Sequence, residues 1–292
     1  MFVKRGYLNK INTICICGAG TMGSGIAQVA AQSGFNVVQY DVNDEMLSKS
    51  RSAININLQK LTEKGKLSVE EKEATVGRII FTDNPNECIG DVVIEAVIED
   101  KEIKTKLFTK LSMINSPETI FATNTSSISV SELSEGKSYA ERFAGMHFFN
   151  PAPLMKLVEI IRAGRTSEHV IQLFVDLARR LGKTPVVCND APGFIVNRVA
   201  RHYYLEAMRL VEEGLTDIKT IDAVMESAGF RMGPFKLMDL IGMDINLAVS
   251  QSIYEAFEHA ERFRPSKLQI EKVKKGELGR KSNKGFYDYD QK

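Results

Sequence analysis

Two residues of this chain have the types and spacing for proton transfer. Residues 145–159 read GMHFFNPAPLMKLVE and carry His147 and Glu159 on either side of an Asn150-Pro151 turn. Side chains alternate faces along a strand, so over residues 155–161 Met155, Leu157, Glu159 and Ile161 share one face. Val158 and Ile160 make the other face apolar, and the strand reads as buried on both sides. A buried carboxylate is costly unless something pairs with it. His147, just across the turn, is the expected partner. A carboxylate holding an imidazole makes a general base that works near neutral pH. The alternative reading of the segment is a structural His–Glu pair.

A second group of residues reads as a phosphate cradle. Residues 11–17 are an apolar run that ends in GAGTMG, where Gly18, Gly20 and Gly23 form G-x-G-x-x-G around Thr21 and Met22. A helical apolar pattern follows through Ala27, Val29, Ala30 and Ala31 and closes at Gly34. Residues 36–40 read as a second strand, with Asp41 at its end. Strand, glycine loop, helix, strand and acid in that order form a dinucleotide fingerprint. Gly18 permits the tight turn, Gly20 lets a pyrophosphate approach the backbone, and Gly23 lets the helix pack close to the sheet. Helix N-terminal N–H groups then face the phosphates. A carboxylate at Asp41 accepts from a ribose 2′-OH and repels a 2′-phosphate. Asn43 and Asp44 follow it instead of an arginine, so the expected cofactor is NAD rather than NADP. The plainer role for Asp41 or Asp44 is to cap the next helix.

Those residues need a frame. Residues 44–64 read as a helix with Leu47, Ile54, Leu58 and Leu61 as its buried stripe. Lys49, Lys60 and Lys64 lie off the stripe, as a solvated basic face or as contacts to a phosphate-bearing ligand. Residues 91–97 read as a strand that delivers Glu95, Glu99 and Asp100 near its carboxyl end, before a helix from Lys101. Ligands of open α/β sheets sit at that edge. Residues 119–123 form a strand ending in Asn124-Thr125-Ser126-Ser127, either a helix cap or a set of substrate donors. Residues 142–148 bring His147 to the same edge, and 184–188 are the last strand. Asp190-Ala191-Pro192-Gly193 signals a helix start, and helical patterns run from Phe194 to about Lys275 with breaks at Gly214, at 229–234 and at Gly242. The expected fold class is α/β, with an N-terminal Rossmann-type dinucleotide-binding domain over residues 1–190. A smaller all-helical C-terminal domain follows over 191–292.

Bulk composition excludes several classes. The 292 residues are 43% apolar and 26% charged with a net charge of +1, which fits a globular protein and argues against a nucleic-acid footprint. No apolar run reaches membrane-spanning length. Residues 1–10 are basic but lack the apolar core of a signal peptide and read as an extension before the first strand. Cys15, Cys17, Cys88 and Cys188 show no metal-ligand spacing, so no metal is expected. Cys15 and Cys17 point the same way from a buried strand and read as reduced core residues of a cytoplasmic protein.

Taken together, these segments resemble the L-3-hydroxyacyl-CoA dehydrogenases, especially the short bacterial 3-hydroxybutyryl-CoA dehydrogenases. The resemblance covers nearly the whole chain after about Lys10. It rests on GAGTMGSGIA at Gly18, NTSSIS at Asn124, HFFNPAPLMKLVEI at His147, DAPGFIVNR at Asp190, GPFKLMDLIGMD at Gly233 and KGFYDY near the end. It implies that His147 is the catalytic base, that Glu159 orients it, and that Ser126 and Asn197 contact the substrate. It further implies an acyl-CoA whose CoA part runs along the helix that carries Asn57 and Lys64. Glu99, Lys104 and Asn150 are placed near the nicotinamide ribose, and the helical domain is implied to form a homodimer. Two positions depart from the family: Asn283 stands where a glycine often precedes the final KGFY, and Leu154 where a smaller branched residue is common. Neither touches the catalytic set, but the first implies a tail that sits differently over the cofactor. The competing enzyme reading is a gulonate-type sugar-acid dehydrogenase, against which HFFNPAP and Lys64 speak. A non-catalytic, crystallin-like protein is the other, against which His147, Glu159, Ser126 and Asn197 speak.

Overall fold

The computed structural model describes residues 11–289, so the extension expected over residues 1–10 lies outside it. The chain divides into two units, Met1–Asp190 and Ala191–Lys292.

In the first unit, runs rich in Val, Ile, Cys and Phe form eight strands. These are β1 (Thr13–Cys17), β2 (Asn36–Tyr40), β3 (Ile79–Thr82), β4 (Val92–Glu95), β5 (Ile120–Thr123), β6 (Phe143–Phe148), β7 (Leu157–Arg162) and β8 (Thr184–Asn189). They make one sheet in the order β3-β2-β1-β4-β5-β6-β7-β8. Every neighbouring pair is parallel except β6 and β7, which are antiparallel. Six helices connect the strands: α1 (Thr21–Gln32), α2 (Asp44–Glu63), α3 (Val69–Gly77), α4 (Lys101–Ile114), α5 (Val130–Ser134) and α6 (Glu168–Arg180). Ile14 and Ile16 of β1, Ile26 of α1, Leu58 of α2, Ile94 of β4 and Phe174 of α6 share one core cluster. The strand order reverses between β1 and β4, and that reversal opens a crevice at the carboxyl ends of the strands.

The strand that carries Glu159 begins at Leu157, later than the sequence pattern suggests. Met155 is exposed and outside it. The reason is local: the backbone N–H groups of Leu154 and Met155 both donate to the Pro151 carbonyl, a turn that cannot pair in a sheet. Neither aspartate proposed as a cap for α2 serves, because Asn43 accepts from the backbone N–H groups of Glu45 and Met46. Asp190 does not cap the helix after it either. It accepts from the Ser129 hydroxyl at 2.7 Å and the Ser131 N–H at 2.8 Å, at the start of α5.

The second unit is helical: α7 (Val196–Glu212), α8 (Ile218–Ser227), α9 (Pro234–Ile241), α10 (Met243–Ala256) and α11 (Lys267–Lys274). Tyr204, Met208, Phe235, Met238 and Met243 share its core. Two buried aspartates tie the tail to it. Asp239 accepts from the N–H groups of Phe286 and Tyr287, both at 2.9 Å, and Asp222 accepts from the Tyr287 hydroxyl at 2.7 Å. Asn283 has φ of 59°. Among non-glycine residues asparagine tolerates that left-handed backbone best, so the turn before KGFY keeps a shape glycine would also take. No described helix is long and apolar enough to cross a membrane.

Candidate active site

The glycine loop leads from β1 into α1. Gly18 has φ of 112°, a backbone that side chains rarely adopt, and a Cβ there would overlap the Ala96 carbonyl. A Cβ at Gly23 would overlap the Gly18 carbonyl oxygen, so Gly23 is what lets α1 seat on the end of β1. Gly20 differs, because a Cβ there meets nothing within 4 Å. Gly20 is also the N-cap of α1 and supplies no side-chain cap, which leaves the N–H groups of the first turn to an anion. Open space against Gly20 beside an uncapped helix start is the cradle a dinucleotide pyrophosphate needs, so the residues present fit NAD. Thr21 and Met22 form the first turn of α1. Asp41, just past β2, accepts from the Ala19 N–H at 2.7 Å and the Asn43 N–H at 3.0 Å, which fixes its carboxylate beside the loop. Gln39, fully buried, donates to the Gly18 carbonyl at 3.3 Å and accepts from the Ser50 hydroxyl at 2.8 Å. Sequence reasoning missed Gln39; its signal is a polar side chain within an otherwise apolar strand.

The carboxyl ends of β4 and β5 hold a charged network. Lys104 of α4 is buried, with its Nζ 2.5 Å from Glu95 and 3.2 Å from Glu99. Glu95 also accepts from the Thr123 hydroxyl at 2.7 Å, and burial pushes its carboxyl above the usual glutamate value despite Lys104 and Thr123. One oxygen of Glu99 accepts from the Thr125 hydroxyl at 2.6 Å, the Ser126 N–H at 3.0 Å, and the Ser127 N–H and hydroxyl at 3.1 and 2.9 Å. Burial works against the charge of Glu99, but Lys104 and these donors outweigh it and hold the carboxyl below its usual value. Glu99 therefore sets the loop that presents Ser126. Asp100 caps α4 through the Ile103 N–H.

His147 and Glu159 face each other directly across the β6–β7 ladder. His147 Nδ1 lies 2.8 Å from Glu159 Oε2, and both side chains are buried. When Nδ1 donates to the carboxylate, the basic lone pair of the imidazole resides on Nε2. The Asn124 side chain at the end of β5 accepts from the Phe148 N–H at 2.8 Å and so ties the end of β6 to that loop. The ring of Phe149 lies 4.6 Å from that of His147.

Beyond β6 the chain turns through a cis Asn150–Pro151 peptide toward α1. Asn150 lines a cavity of about 320 Å³ together with Gly20, Thr21, Gln28, Lys49 and Asn57. Asn57 donates to Gln28 at 3.3 Å. Lys64 is the exposed C-cap of α2 and does not line that cavity. Asn197 belongs to the second unit, in the first turn of α7. A larger cavity of about 600 Å³ opens near the starts of β4 and β5, beside Asp91, Thr119 and Arg142. Ligands of parallel sheets bind at the opposite edge, so we assign the site to the smaller cavity and its surroundings.

Comparison with known proteins matches two family models in succession. One is described as 3-hydroxyacyl-CoA dehydrogenase, NAD binding domain, over residues 13–191. The other is described as 3-hydroxyacyl-CoA dehydrogenase, C-terminal domain, over residues 193–289. A 3-hydroxyadipyl-CoA dehydrogenase of Escherichia coli (strain K12) is 45% identical over 282 residues; the match covers 96% of this chain and 59% of that protein. A probable 3-hydroxybutyryl-CoA dehydrogenase of Deinococcus radiodurans is 44% identical, with 94% of this chain and 99% of that protein covered. The crystal structure of (S)-3-hydroxybutyryl-CoA dehydrogenase from Ralstonia eutropha superposes with a TM-score of 0.92 at 39% identity, covering 97% of this chain and 100% of that one.

Proposed function

The chain belongs to the 3-hydroxyacyl-CoA dehydrogenase family of NAD-dependent oxidoreductases, and on that premise we propose that it interconverts (S)-3-hydroxyacyl-CoA and 3-oxoacyl-CoA, with 3-hydroxybutyryl-CoA as the favoured ester. The observation that carries the reading is the buried His147–Glu159 pair at 2.8 Å on the ligand edge of a dinucleotide-binding sheet. NAD supplies the hydride acceptor for C3 of the substrate. The loop from Gly18 through Gly20, Thr21 and Met22 to Gly23 would receive its pyrophosphate, Asp41 would hold its adenosine ribose, and Glu99, Lys104 and Asn150 would stand on the nicotinamide side. His147 takes the proton of the C3 hydroxyl at Nε2, and Glu159 offsets the charge that develops on the ring. In reduction the protonated ring returns that proton. Ser126 and Asn197 hydrogen-bond the reacting oxygens and fix the pose. Asn57 and Lys64 meet the CoA part along α2. Four free cysteines suit a reducing compartment such as the cytoplasm.

The test is steady-state NADH oxidation with 3-oxoacyl-CoA esters of increasing chain length, set against NAD reduction with free sugar acids. Turnover of sugar acids alone would overturn the reading in favour of the gulonate type. Asp41→Ala is expected to narrow the preference for NADH over NADPH by about tenfold or more, since a hydrogen bond to a charged group contributes about 1.5–3 kcal/mol. A wild-type kcat/KM higher with NADPH would count against the role of Asp41. Val199, Phe230, Leu240 and Ile245 are exposed on the second unit, apolar side chains that a second copy would cover. On this reading the chain forms a homodimer through that unit, and light scattering at micromolar concentration should give twice the chain mass.

A further inference from the structure

Nothing in the proposed reaction uses a thiol, yet three of the four cysteines converge inside the first unit. Cys15 and Cys17 come from β1, and Cys88 from the irregular segment between β3 and β4. All three are fully buried, and their Sγ atoms lie within 4.8 Å of one another, Cys15 and Cys17 at 3.9 Å. Burial alone is the ordinary fate of a cysteine. Convergence of three sulfurs on one point is a different observation. Three sulfurs 3.9 Å apart would each lie about 2.3 Å from the centre of their triangle, which is the length of a thiolate–metal bond, and the separations to Cys88 are at most 4.8 Å. An ion bound between them would take the place of the thiol protons.

We propose that Cys15, Cys17 and Cys88 form a three-sulfur site for one soft monovalent cation of the copper(I) class. The donor count selects the ion. Among the described residues no histidine or carboxylate joins the group, and the sulfurs have no exposure through which water could serve as a fourth ligand. Structural zinc is almost always four-coordinate, and calcium and magnesium take oxygen ligands. Copper(I) is selected by soft thiolates. Binding displaces thiol protons to solvent while the copper stays monovalent, so no electron is transferred and no oxidant is needed. The ligands are well held. The Asn115 side chain donates to the Cys88 carbonyl at 2.8 Å and accepts from the Gly90 N–H at 3.0 Å. Cys17 directly precedes Gly18, which puts the ion one residue from the turn that opens the dinucleotide loop.

The test titrates the full-length, reduced chain anaerobically with Cu⁺ against a chromophoric Cu⁺ chelator, with Zn²⁺ in a parallel arm. One Cu⁺ per chain should be retained, with X-ray absorption giving three sulfurs at about 2.3 Å. Cys88→Ser should lose that retention, and Cys188→Ser, outside the cluster, should keep it. Melting curves without copper show whether Cys88→Ser is folded; if it is not, the absorption spectrum of the wild-type chain decides. No retention against the chelator, copper bound by two sulfurs or by nitrogen or oxygen, or Zn²⁺ held in preference to Cu⁺ would each overturn the site.

Discussion

His147→Gln is expected to cut kcat with a 3-oxoacyl-CoA ester by about 10²–10⁴-fold, the share that a positioned acid–base group supplies. Glutamine can hydrogen-bond but cannot exchange a proton in the neutral range. NADH affinity should stay within a few-fold of wild type, because the glycine loop and Asp41 sit on β1, α1 and the end of β2, whereas His147 is on β6. A kcat within tenfold of wild type would remove His147 from the chemistry. Glu159→Gln separates the two readings of the pair. The amide keeps the shape and an oxygen that can accept from Nδ1 at the observed 2.8 Å, but it carries no charge. If Glu159 offsets charge on the reacting imidazole, kcat falls while the melting temperature moves little. If the pair is structural, kcat holds and the melting temperature falls, because a buried polar group with a poor partner costs about 1–3 kcal/mol.

The parts of this molecule that are legible in the sequence are those whose signals are local. The apolar run before Gly18, the helix that ends near Gly34 and the strand before Asp41 each carry their own periodicity, and β1, α1 and β2 form where that pattern puts them. The His147–Glu159 contact is legible for a related reason. A short turn between two buried strands leaves few registers, and one of them pairs a carboxylate with a nearby group able to satisfy it. Elements α3, β3 and α6 are missing from the sequence reading although two of them carry signals. Ser68 and Glu71 form a capping box at the start of α3, and Val170, Ile171, Phe174 and Val175 make a helical stripe on α6. Other roles were not available locally. Glu99 finds Thr125 26 residues away, and Asp190 finds Ser129 61 residues back, so neither partner is set by spacing. Asn43, Asp41 and Asp44 are all good cap types within a few residues, and only the backbone geometry of Asn43 decides among them. Cys88 is likewise invisible beside Cys15 and Cys17 until β4 is laid against β1.

Gly20→Ala and Gly23→Ala are expected to fail in opposite ways, although both sit in the same glycine motif. A methyl added at Gly23 would overlap the Gly18 carbonyl oxygen, a backbone atom that cannot yield unless α1 lifts off the end of β1. Overpacking of that kind costs about 1–3 kcal/mol. In a unit of this size each kcal/mol lowers the melting temperature by roughly 2–4 °C, so the variant should be less stable even without nucleotide. Gly20 has φ of −69° and ψ of −175°, which alanine adopts freely, and a methyl there would meet no protein atom within 4 Å. Gly20→Ala should therefore melt like the wild type. Its NADH dissociation constant should rise by about tenfold or more, about 1.4 kcal/mol, because the methyl enters space that the pyrophosphate needs. Thermal melts and NADH titration on the two variants separate packing from ligand approach. A Gly20→Ala protein that binds NADH as tightly as the wild type would mean that the open space beside α1 is not where the phosphates lie. A Gly23→Ala protein with an unchanged melting temperature would mean that the helix has slack the geometry does not show. The contrast isolates what each glycine does: one is small so that the protein can pack, the other so that something else can come close.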